Sequence, residues 1–111
     1  MNILSATNAL KGIKIKELDD EFQIAIMNVV NAAFPDSVKV TAEATGDDIR
    51  RLIDNELPTV SRLELMRVNI FTVSNDIVRF YNHVEKLQEA AQQALQYDDA
   101  IKGNFITNIA L

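Results

Sequence analysis

From Leu63 the chain places an apolar residue at alternating intervals of three and four: Leu63, Met66, Ile70, Val73, Ile77, Phe80, Val84, Leu87, Ala91 and Ala94. With 48% of residues apolar, ten such hits arise by accident roughly once in a thousand trials in one register, so the pattern predicts a helix. A helix with so long an apolar seam must bury it against other helices. Phe71 and Val78 lie one position beyond seam residues and widen the stripe. The flanks are Arg67, Ser74, Tyr81, Gln88 and Leu95 on one side, and Asn69, Asp76, His83, Ala90 and Tyr97 on the other. They are mostly uncharged, whereas a parallel zipper usually carries Glu and Lys there. The broad stripe favours the central helix of a bundle over a two-stranded coiled coil.

Punctuation divides the rest. Asn2 or Ser5 can cap a short helix, 2–11, that Gly12 ends. A second helix, 17–34, has the apolar set Ile15, Leu18, Phe22, Ala25, Val29 and Ala32, broadened by Ile26 and Val30, and stops at Pro35. Asp19, Asp20 and Glu21 fall at its start, where the helix dipole favours negative charge. The small Ala25 and Ala32 leave room for a close neighbour. In residues 37–45, Val38, Val40, Ala42 and Ala44 alternate with Lys39, Thr41 and Glu43, the period of a half-buried strand. With no second such segment recognised, this stretch is read as an extended connector, or else as an edge for another chain.

Thr45-Gly46-Asp47-Asp48 reads as the cap of a third helix, 46–57, that ends before Pro58. Ser61 and Glu64 match capping-box spacing, with Thr59 a competing start, for a long helix over 60–97. Its weakest point is Ser74-Asn75-Asp76, three poor interior helix formers in succession. Asp98-Asp99 can cap a last helix, 99–109, unless one helix runs nearly to the end. The apolar stretch from Ile106 to Leu111 is expected to pack on something. The expected fold is all-α, a single-domain bundle of four or five helices.

Composition narrows the chemistry. The 111 residues include no cysteine, which excludes disulfides, thiol nucleophiles and thiolate metal sites. No apolar run suits a bilayer span, and residues 1–16 lack the apolar core of a secretory signal, so a cytoplasmic location is expected. Charge is uneven: residues 1–16 hold Lys11, Lys14 and Lys16 and no acid, while residues 17–56 hold ten acids and three bases. An acidic centre argues against a nucleic-acid partner, which needs clustered positive charge.

His83 is the only histidine, and no Glu precedes it by three as di-metal bundles require. No Gly-x-Ser-x-Gly elbow occurs, and Gly12, Gly46 and Gly103 are too dispersed to cradle a phosphate. The carboxylate pairs Asp19/Asp20, Asp47/Asp48 and Asp98/Asp99 each sit at an expected helix start, where capping explains them. We therefore expect no enzyme, no cofactor, no metal and no small-molecule substrate.

What remains is recognition. The stripe is longer and wider than the other helices can cover, which points to a protein that self-associates or joins a larger assembly as adaptor, structural subunit or assembly chaperone. Phe71, Val78, Tyr81 and Leu95 are the expected interface. The competing class is a small acidic inhibitor that covers a basic protein surface through Asp19, Asp20, Asp47 and Asp48. A DNA-binding regulator using Arg50, Arg51, Arg62 and Arg67 ranks third.

Overall fold

The computed structural model describes the backbone of residues 1–110 and the side chains of residues 1–95. It is all-α, with helices α1 (Ile3–Leu10), α2 (Asp20–Ala33), α3 (Gly46–Glu56), α4 (Thr59–Arg67) and α5 (Ser74–Ala110), and a single 3-10 turn at Ile15–Glu17. No helix among the described residues is long and apolar enough to cross a membrane.

α1 starts where Asn2 accepts the Ser5 N–H through Oδ1 at 3.0 Å, and it buries Ile3, Ala6, Thr7 and Leu10. The positive φ that ends it, 50°, belongs to Lys11 and not to the expected Gly12. α1 packs chiefly on α3. Contact is close because Gly46 opens α3: a Cβ there would stand 2.4 Å from the Thr7 carbonyl oxygen and 2.7 Å from the Leu10 Cβ. The Thr45 cap forms as the sequence predicts. Thr45 Oγ1 accepts the Asp48 N–H, and Asp48 Oδ2 accepts the Thr45 N–H, both at 3.1 Å.

α2 is shorter than 17–34, because the chain first makes the 3-10 turn and then uses Asp19 as N-cap. Its buried ridge is Phe22, Ile26 and Val30. Ala25 and Val29 are half-buried and Ala32 is exposed, so the ridge runs beside the alanine line and not along it. A cleft of about 490 Å³ stays open where Val29, Ala32 and Ala33 face Leu65 and Val68. No helix of the described residues fills it.

Residues 37–45 form no strand. The connector does find a partner in its own chain: Ile15 N–H donates to Ala44 O at 2.9 Å and Lys16 N–H to Ala42 O at 2.8 Å. The signal was the alternation Ile13-Lys14-Ile15-Lys16, too short to read as a strand by itself. That pairing replaces the idea of a free docking edge.

The long helix differs most from expectation. The seam is not one helix over 60–97; it breaks at residues 68–73 between α4 and α5. From Val68 to Asp76 every residue is β-branched, aromatic or short and polar, all poor helix formers. The break precedes Ser74-Asn75-Asp76, which become the first turn of α5, where such residues are tolerated. Ser61 does not cap: α4 starts at Thr59 behind Pro58. Downstream, α5 continues through Asp98 to Ala110, so no separate 99–109 helix exists. The packing expected of Ile106–Leu111 lies outside the residues whose side chains are described.

The core joins all five helices. Ile3 and Leu10 of α1, Phe22 and Ile26 of α2, Ile49 and Ile53 of α3, Leu65 of α4 and Phe80 and Val84 of α5 are all buried. Ile15 and Leu18 enter it from the turn before α2.

Candidate interaction surface

α5 is seated on the body through one face. Phe80 and Val84 are buried, Ile77, His83, Leu87 and Gln88 are half-buried, and Gln88 donates from Nε2 to the Ala9 carbonyl at 3.0 Å. Aromatic rings set the position of its first turns. Phe80 meets Phe22 of α2 at 5.5 Å and Phe71 of the 68–73 joint at 5.6 Å, and Phe22 meets Phe71 edge-on at 5.7 Å. Ring pairs at such separations add attraction beyond their area burial.

His83 extends this cluster. Its ring stacks on Phe22 at 5.2 Å, and Nε2 accepts the Asp19 N–H at 3.1 Å. The Asp19 carboxylate lies 3.7 Å from Nδ1. This arrangement places the lone histidine in a structural role at the start of α2. Beside it Arg79 pairs with Glu21 at 2.7 Å, which holds the guanidinium proton more firmly than usual.

Close burial ends at Gln88, beyond which Ala91 and Gln92 line an open cleft with Leu10, Lys11, Gly12 and Ile13. From Glu89 through Leu95 every residue is exposed, although the seam continues there through Ala91 and Ala94. A 37-residue helix is about 55 Å long, and among the residues whose side chains are described its buried and half-buried positions fall within the first four turns. Of the expected interface residues, Val78, Tyr81 and Leu95 are 56%, 46% and 67% exposed. Tyr81 and Leu95 are fourteen residues apart and so lie about 21 Å apart on nearly the same side of α5. Val78 neighbours Tyr81 one turn away. Phe71 departs from the quartet: it is half-buried against Phe22 and Phe80, inside its own fold.

α4 offers a second apolar area. Val60, Leu63 and Met66 are exposed, as is Val68 just beyond the helix, and only Leu65 of α4 is buried. Leu63 and Met66 border a cleft of about 240 Å³ with Leu4, Ile53, Arg50 and Arg62. Their seam positions made them core candidates in a continuous helix; once the helix breaks, they turn to solvent.

The charged candidates disperse. Asp19 and Asp20 begin α2, whereas Asp47 and Asp48 begin α3. Asp48 serves its own helix: the Thr45 N–H, the Arg51 guanidinium and the Thr45 hydroxyl hold its carboxyl below the usual range. Glu43 is likewise lowered by Lys16 and Lys14, at 2.7 and 3.3 Å. Arg50 pairs with Asp54 at 3.5 Å and Arg51 with Asp48. Arg62 donates to the Asp54 carbonyl at 2.9 Å and to Thr59 Oγ1, clamping the α3–α4 turn. These arginines are thus engaged locally. Among the described residues no group of three or more His, Asp or Glu could hold a metal ion.

The two lowered carboxyls give a pH dependence. Each favours its charged form in the native fold, so it adds stability above the unfolded carboxylate value, about pH 4. That contribution is lost as pH falls through the lower native value. Thermal melts from pH 6 to pH 2 should therefore decline less steeply for Glu43→Gln/Asp48→Asn than for wild type.

Comparison with protein-family models, with curated proteins and with solved structures finds no match.

Proposed function

We propose that this is a non-enzymatic protein–protein interaction module that self-associates through the exposed continuation of α5. The supporting observation is the mismatch along that helix: its apolar seam runs on past Gln88, while residues 89–95 are all exposed. A second copy can cover such a seam helix against helix, the geometry in which alternating three-and-four spacing is satisfied. Tyr81 and Leu95 flank the seam and add the large side chains that interface centres favour. An adaptor or structural subunit in a larger assembly would use the same surface.

Light scattering at micromolar concentration tests this. We expect a mass above the 12.4 kDa chain, little changed between 50 and 500 mM salt, and a return to monomer for Leu95→Glu. Association that salt abolishes, and that charge reversal at Asp19, Asp20, Asp47 and Asp48 removes, would instead support the acidic-inhibitor reading. A strict monomer that captures no partner would discard both.

A further inference from the structure

The seam and the break in it are at odds. Ile70 and Val73 sit inside the non-helical joint, yet they keep the three-and-four register between the α4 and α5 halves without a slip. Neither Pro nor Gly interrupts residues 59–102, so nothing in the covalent chain forbids a helix there. The bent form leaves seam residues uncovered before and within the joint: Leu63 and Met66 are each 52% exposed and Val73 is 57% exposed.

What holds the bend is a strap from the first two residues. Ile70 N–H donates to the Met1 carbonyl at 2.7 Å. The Met1 nitrogen donates to the Phe71 carbonyl at 2.8 Å, and Asn2 Nδ2 donates to the Met66 carbonyl at 3.2 Å. Each bond occupies a backbone group that a continuous helix would use for itself: the Ile70 amide would turn to Met66 O, and the Met66 and Phe71 carbonyls would accept from Ile70 and Asn75. Phe71, wedged between Phe22 and Phe80, completes the lock.

We propose that residues 68–73 are a latched hinge. Met1, Asn2 and Phe71 hold α4 and α5 apart, and release of the latch joins them into one helix from Thr59, aligning Leu63 through Ala94 on a single face. Poor helix propensity in the joint sets the resting state to bent. The backbone groups held by the strap and the preserved register define the alternative. The hinge is independent of whether α5 self-associates, since both states exist within one chain.

NMR chemical shifts and amide exchange at Val68–Val73 test it, with two variants of the full chain. Asn69→Ala/Thr72→Ala changes two exposed positions into good helix formers, which alone should shift the straight-to-bent ratio about ten-fold, and it also removes the Asn69 Oδ1 that accepts from the Met1 nitrogen at 3.4 Å. Asn2→Ala/Phe71→Ala removes two parts of the latch. Helical shifts and slowed exchange through the joint are expected in both variants, with Leu63–Ala94 becoming one protected run. A joint that stays non-helical in both, while α4 and α5 remain helical, would overturn the proposal. Should the Phe71 variant fail to fold, the exposed pair decides alone, because it leaves the core intact.

Discussion

Phe80→Ala should lose about 3–5 kcal/mol of folding stability, the usual cost of emptying a buried phenylalanine site. Phe80 is fully buried and touches Phe22 and Phe71, so it ties α5 and the joint before it to α2, some fifty residues earlier in the chain. Rings on two sides leave little freedom to collapse into the void. A domain of this size commonly holds about 5–15 kcal/mol in total, which puts the variant close to unfolding at ambient temperature. Urea denaturation of wild type and variant measures the difference directly. Leu95→Ala, at 67% exposure, serves as the control and should stay within about 0.5 kcal/mol when measured on dilute protein.

Gly46→Ala should be the most damaging small substitution. The added methyl would meet the Thr7 carbonyl oxygen at 2.4 Å, the Leu10 Cβ at 2.7 Å and the Lys11 nitrogen at 2.9 Å. None of these is the free end of a flexible side chain, so α1 must move bodily off α3. Overpacking of this kind costs about 1–3 kcal/mol or more, against the small helix-propensity gain of alanine. Gly12→Ala is the matched contrast: its Cβ would meet nothing within 4 Å and its φ is not positive. There the substitution should be neutral, or stabilise by about 0.4–1 kcal/mol through the unfolded chain. Paired thermal melts check both.

These two sites also show what the sequence could and could not convey. Local rules placed the Thr45 cap, the stop at Pro35 and the end of α3 before Pro58, because each depends on neighbours in the chain. The 60–97 helix depended on more. Periodicity reports that a face is apolar, but not whether the backbone beneath it stays helical when β-branched and aromatic residues run together. The residues of 68–73 weaken a helix there, and the contacts the joint makes in the fold are with Phe22, some fifty residues away, and with Met1, while Asn2 holds Met66 just before it. No local window contains those contacts.

The interface expectation divided for the same reason. Val78, Tyr81 and Leu95 face solvent because no other segment of the described fold reaches them, whereas Phe71 is half-buried where the joint bends it toward Phe22 and Phe80. Leu63 and Met66 moved the other way, from seam to surface. The cleft between α2 and α4 was foreshadowed by small Ala32, but the sequence could not show that the space would stay open.

Amide hydrogen exchange along α5, followed as protein concentration is raised from low to high micromolar, shows whether a second copy covers the exposed seam. Protection at Phe80–Gln88 should be independent of concentration, because that stretch is held by the body. At Glu89–Leu95, protection should grow as copies meet. Rapid exchange at Glu89–Leu95 that ignores concentration would contradict self-association through this helix.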